Sequence, residues 1–146
     1  MFRYPFRIHI REDKAVVMDL HATEYFFHAF SYPDFHYLTS FGRRGDAPVE
    51  ILSAENFRWN GRFLWTLDSN KSELTRFGFA SSSDSLLSLE VVSLDEELLR
   101  ALDFVQYDDS TFIIPDYSGD SRFCLVSRQG KLLRKVGNIP STNEDA

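Results

Sequence analysis

Three aspartates, Asp19, Asp68 and Asp116, each close a short apolar run: Ala15-Val16-Val17-Met18, Phe63-Leu64-Trp65-Thr66-Leu67 and Phe112-Ile113-Ile114-Pro115. Carboxylates can move protons or bind cations. Their recurrence 49 and 48 residues apart favours a structural task, accepting backbone N–H groups in the polar turns that follow. Histidines 9, 21, 28 and 36 all fall in the first third of the chain, without H-E-x-x-H or other zinc spacing. His28 lies in an apolar run, where a histidine is usually a hydrogen-bonded interior residue. Cys124, the single cysteine, also lies in an apolar run and reads as a small buried hydrophobe. G-x-S-x-G, P-loop and G-x-G-x-x-G patterns are absent. The expectation is no catalytic set, no metal and no cofactor.

The polar groups suited to holding a ligand are Arg43, Arg44, Asp46, His21, Asn70 and Lys71, with Asp120 in an equivalent turn. Gly42 and Gly45 flank the two arginines, so two guanidinium groups project from one short loop. Paired N–H donors match a carboxylate. The competing reading has Asp46 and nearby acids neutralising both arginines as weak surface pairs. Arg44-Gly45-Asp46 spells an adhesion tripeptide, but tight turning alone explains Gly45. Asn70-Lys71-Ser72 spells a glycosylation sequon, which matters only in a secretory pathway.

These residues need a framework, and the apolar runs supply one. Around each aspartate-terminated run the chain repeats four strand-like segments: Phe6 to Ile10, 15–19, Tyr25 to Phe30 and His36 to Phe41; then Glu55 to Trp59, 63–68, Glu73 to Phe79 and Leu86 to Val92; then Leu102 to Tyr107, 112–116, Arg122 to Val126 and Lys131 to Val136. Phe6, Ile8 and Ile10 alternate with Arg7, His9 and Arg11, as on a half-buried strand. The second runs barely alternate, which suits strands covered on both faces. Four strands in about 48 residues, three times over, is the blade pattern of an all-β propeller. The blades are placed at about 4–42, 54–92 and 102–137 of a partial propeller covering 1–146. The second runs should be the most buried, and Val17→Ala or Ile113→Ala should cost about 1–3 kcal/mol. Ser93 to Ala101 reads as one or two helical turns with Ser93 as N-cap. Ala80 to Ser85 is a Ser-rich insertion, and the tail from Ser141 to Ala146 is polar. Trp59, on a first strand beside the central channel, is either inter-blade packing or a ligand platform.

Composition narrows the partners. The 146 residues carry 16 Lys+Arg against 22 Asp+Glu, a net charge of -6 that disfavours nucleic acid. A single cysteine excludes an internal disulfide framework. The N-terminus lacks the apolar core and cleavage site of a signal peptide, and no apolar run approaches the ~20 residues of a membrane span.

The stretches Tyr4-Pro5-Phe6-Arg7-Ile8, Asp19-Leu20-His21, Tyr32-Pro33-Asp34-Phe35, Ser40-Phe41-Gly42-Arg43-Arg44-Gly45-Asp46-Ala47-Pro48 and Leu67-Asp68-Ser69-Asn70-Lys71-Ser72 resemble the TolB-like six-bladed β-propellers of Bacteroidetes, relatives in shape of NHL-repeat propellers. The resemblance implies a six-bladed ring, an exported or envelope location in the periplasm or on its membranes, and no assigned activity. Three blades do not close a ring of the usual 4–8. Either the chain is part of a longer six-bladed protein, or two copies pair as a homodimer that completes the ring. Two functions follow. One is a non-catalytic binding or scaffold propeller for an anionic small molecule, glycan or peptide, met by Arg43, Arg44, Asp46, His21, Asn70, Lys71 and Trp59. The other is a lyase or hydrolase at the channel mouth, with His21 as acid or base and an arginine steadying an anion.

Overall fold

The twelve segments of β-formers become twelve strands in the computed structural model, which describes residues 4–80, 84–98, 100–118 and 121–138. The first sheet contains β1 (Pro5–Arg11), β2 (Lys14–Asp19), β3 (Tyr25–Ser31) and β4 (Tyr37–Arg43). The second contains β5 (Ala54–Asn60), β6 (Phe63–Asp68), β7 (Glu73–Phe79) and β8 (Leu86–Ser93). The third contains β9 (Val105–Asp108), β10 (Thr111–Pro115), β11 (Ser121–Ser127) and β12 (Leu132–Asn138). Each sheet is an antiparallel meander whose strands pair in chain order. The molecule is all-β, three propeller blades in succession. Among the described residues there is no helix, hence none long and apolar enough to cross a membrane. Ser81 to Ser83, Asp120 and the tail from Ser141 lie outside the described residues.

Two apolar cores fill the two seams between blades. Val16, Met18, Phe27 and Phe41 of the first blade meet Phe57, Leu64 and Phe77 of the second. Trp65, Leu67, Leu74 and Val92 of the second meet Phe104, Phe112, Ile114, Cys124 and Val126 of the third. β6 therefore buries both its faces, Leu64 into one seam and Trp65 and Leu67 into the other, which is why its sequence does not alternate. β10 buries one face, and β2 turns Val16 and Met18 into the seam while Val17 on its other face is only half-buried. Val17 pairs with Ile8 and His28 across the sheet, on the side away from the second blade, and is half-buried. Ile113, paired with Val105 and Leu125, is in the same position on the third blade. The alanine substitutions that reach the cores are therefore at Val16, Met18, Phe112 and Ile114 rather than at Val17 and Ile113.

Among the described residues, the helical turns expected at Ser93 to Ala101 do not form. Leu94, Leu98, Ala101 and Phe104 are all buried. The backbone is diverted because Ser93 pairs with Glu73 in the sheet. The next residue but one docks on the third blade: Asp95 N–H donates to the Gly130 carbonyl at 2.8 Å, and its carboxylate accepts from Leu132 N–H at 3.0 Å. β9 starts at Val105, not Leu102, because the Asp103 carboxylate accepts from Phe104 N–H and from the Arg58 and Asn56 side chains. Gly42 and Gly137 occupy corresponding places near the ends of β4 and β12, with φ of +70° and +74°. A Cβ on Gly42 would also meet the Phe27 ring at 2.6 Å, so glycine is required there twice over.

Candidate functional site

The meander topology sorts the loops. The links from second to third strands and from each fourth strand into the next blade share one end, here the loop end. The turns between first and second strands and between third and fourth strands share the other, the turn end. The three repeated aspartates sit at the loop end and bind backbone. Asp68 accepts from Leu52 N–H at 2.7 Å, Ser53 N–H at 3.3 Å, Asn70 N–H at 3.0 Å and Lys71 N–H at 3.1 Å. Asp19 accepts from Tyr4 N–H at 2.8 Å and His21 N–H at 3.2 Å. Asp116 accepts from the Ser118 hydroxyl and N–H, from Ser121 N–H, and pairs with Lys135 at 3.6 Å. The Ser118 bonds hold its carboxyl below the ordinary range. Each carboxylate pins the turn that leaves the second strand; in the first two blades it also grips the chain entering the first strand.

The loop residues divide into two groups. Arg43, Lys71 and the 44–51 loop form one. Lys71 Nζ donates to the carbonyls of Ala47 at 3.0 Å and Glu50 at 2.8 Å, and Arg43 Nε faces Glu50 at 3.6 Å. Glu50, not Asp46, is the neutralising acid; Asp46 is exposed and makes no ion pair among the described residues. Asn70 is exposed and gives its backbone N–H to Asp68. The second group is His21 and Arg44, which line one open cavity of 450 Å³ with Thr23. Arg44 donates to the Ala22 carbonyl at 3.0 Å and lies over the Phe26 ring, and His21 packs edge-on against Tyr4.

Trp59 stands elsewhere, on the channel side. It lines a 340 Å³ groove beside the first strands of all three blades, with His9, Arg58, Phe104 and Gln106. Arg58 holds Asp103 through its terminal nitrogen at 3.0 and 3.2 Å. Arg58 Nε–H and Trp59 Nε1–H are buried without an acceptor among the described residues. Asn60 and Gln106 hydrogen-bond to each other across the blade 2–blade 3 seam at the rim. His9 and Arg58 were not among the residues expected from the sequence. The signal was the alternation of β1, which placed His9 opposite the apolar face; that face proves to be the exposed one, and the His9 ring packs on Phe57 at 4.6 Å.

Burial lowers the pKa of His9, with Arg58 and Arg7 adding to the effect. Burial also lowers that of His28, whose Nδ1 lies 2.7 Å from the Ser40 hydroxyl, against an opposing pull from Asp19. The unfolded chain protonates these rings near the ordinary 6.5, before the folded protein does. Stability is thus fully present above about pH 6.5 and is lost as pH falls through the lowered values. The melting temperature is expected to drop as pH falls below about 6.5, and to drop less in a His9→Gln/His28→Gln variant, as measured by calorimetry. Burial raises the Cys124 thiol, which stays protonated at neutral pH. Among the described residues no group of three or more His, Cys, Asp or Glu side chains is placed to hold a metal ion.

Two solved structures from Bacteroides fragilis share this fold. A protein provisionally named as exported superposes with a TM-score of 0.69 at 11% identity, over 96% of this chain and 39% of that one. One provisionally named a 6-phosphogluconolactonase superposes with a TM-score of 0.60 at 12% identity, over 92% of this chain and 40% of that one. The chain thus spans about two fifths of the length of each. No curated protein matches it in sequence. The family model described as TolB-like 6-blade propeller-like matches residues 1–146. Matched along its whole sequence and folded as three four-stranded meanders, the chain belongs to the TolB-like six-bladed propeller family.

Proposed function

We propose that the chain is a non-catalytic ligand-binding part of a propeller, its ligand held in the channel-side groove of His9, Arg58 and Trp59. The observation that carries this reading is the pair of buried donors, Arg58 Nε–H and Trp59 Nε1–H, without acceptors. An unmet buried donor costs about 1–3 kcal/mol. A ligand oxygen seated in the groove removes that cost, so acceptor-rich molecules are favoured: a carboxylate-bearing sugar, a glycan or a peptide. The lining consists of rings, amides and a guanidinium, groups that hold a ligand rather than transform it. Arg44 and His21 offer a second contact at the loop end. Titration of anionic and neutral glycans and peptides tests this. Saturable binding that weakens about tenfold, or 1.4 kcal/mol, in Trp59→Phe supports it. Equal affinity in both proteins, or no binding across the panel, removes it, and turnover of a bound ligand transfers the assignment to an enzyme with His21 as acid or base.

The reading extends to the open faces. Ile8 is 51% exposed beside Phe6 and Ile10 on the first blade, and Tyr107 and Leu133 are 70% and 59% exposed on the third. Apolar faces of this kind are covered in a closed ring. A second copy of the chain is expected to cover them, giving a dimer by sedimentation equilibrium that Ile8→Asp converts to monomer. A monomer at every concentration assigns that cover to further blades instead. The resemblance and the exported neighbour support a periplasmic or envelope location, which cell fractionation checks.

A further inference from the structure

A second cavity of 380 Å³, adjoining the channel-side groove at Asn60, Trp65 and Gln106, opens at the turn end of the seam between the second and third blades, lined by Arg62, Arg76 and Arg128. Arg62 comes from the turn after β5, Arg76 from β7 and Arg128 from the turn after β11. All three guanidinium groups lie against rings. Arg76 and Arg62 lie over Phe63, at 4.4 and 5.3 Å from its centroid, and Arg128 lies over Trp65 at 5.3 Å. Glu90 joins two of them: Arg76 Nε donates to it at 3.1 Å, and Arg128 donates through Nε at 3.0 Å and a terminal nitrogen at 2.7 Å. Arg128 also donates to the Asp109 carbonyl at 2.8 Å. The Arg128 bonds hold the Glu90 carboxyl below its ordinary range, so the clamp is charged at neutral pH.

This arrangement has donors to spare. Among the described residues, the terminal nitrogens of Arg76 make no hydrogen bond, and the Arg62 guanidinium has neither an acceptor nor an acid partner. Against three guanidinium groups stand two carboxylates, Glu90 within the clamp and Asp109 at the wall. The balance is one positive charge in a protein whose net charge is -6. Glu90 and the ring faces hold Arg76 and Arg128 in place, so binding there requires little ordering of long side chains. A planar carboxylate is saturated by one guanidinium fork, whereas donors converging from three elements match a group with several oxygens in three dimensions.

We infer that this cavity binds a tetrahedral oxyanion, the phosphate or sulfate group of a small polar molecule, between Arg62, Arg76 and Arg128. The amides of Asn60 and Gln106, which also line the cavity, face the hydroxyl-bearing remainder of such a molecule. The site is distinct from Arg44 and His21, which lie at the opposite end of the blades.

Calorimetric titration with inorganic phosphate and with inorganic sulfate, at an ionic strength fixed with chloride, tests the inference. Saturable binding is expected for one anion or both. Arg62→Ala, an exposed position, should weaken it at least tenfold, and Arg62→Lys should recover part of the loss. Trp59→Phe and Arg44→Ala should leave it unchanged, which separates this site from the groove and the loop end. The inference is overturned if neither anion binds beyond the chloride control, if Arg62→Ala binds as the parent does, or if Arg44→Ala abolishes binding.

Discussion

Asp68→Ala is expected to lower the unfolding free energy by about 3 kcal/mol, out of the about 5–15 kcal/mol typical of a domain. The carboxylate is 3% exposed and accepts four backbone N–H groups, two from the chain entering the second blade and two from the turn after β6. Bonds to a charged acceptor are worth more than neutral ones, and removing the acceptor leaves these donors unpaired where water reaches poorly. Asp68→Asn keeps an acceptor oxygen and should fall between parent and alanine variant. Asp19→Ala removes the bonds from Tyr4 and His21 N–H and should destabilise as well. Urea midpoints at constant slope measure all three. An Asp68→Ala protein as stable as its parent would refute the backbone-binding role.

Phe57→Ala is expected to cost about 3–5 kcal/mol. Its ring is 0% exposed and contacts His9 and Phe27 edge-on, so it joins β5 to both β1 and β3 across the first seam. Truncation removes the buried area and leaves a cavity that strands fixed by their ladders cannot collapse to fill. Val17→Ala should cost well under half as much, because Val17 is half-buried and outside the seam. Comparable losses in the two variants, again by urea denaturation, would contradict the placement of the seam.

Much of the fold was legible because one period carried it. The aspartate spacing set the blades, the apolar runs set the strands, and the turn role of Asp19, Asp68 and Asp116 followed from their repetition. What the pattern left open was which face of each outer blade meets a neighbour. In β1 the apolar residues Phe6, Ile8 and Ile10 look like the core side, yet His9 is the residue that meets Phe57. Period-two alternation distinguishes two faces but does not say which of them the next sheet covers. The segment after β8 misled for another reason: Ser93 followed by acids reads as a capped first helical turn, while Asp95 bonds to Gly130 and Leu132, far along the chain. The site was harder still. Arg62, Arg76 and Arg128 come from different strands and turns, and no local spacing brings them together; Arg43 and Arg44, adjacent in sequence, face different partners.

The middle blade supplies side chains to both cores, whereas each outer blade supplies one. In a linear stack, cooperativity passes only between neighbours, so the number of couplings a blade holds sets how it unfolds. Damage to the first or third blade severs one coupling and leaves the other pair intact. Damage within β6 severs both, because Leu64 and Trp65, adjacent residues, belong to different seams. Amide exchange within these three blades should therefore be slowest in β6. Within these three blades, the strand that both seams share, six residues long, is thus expected to be the last to give up its amide protons.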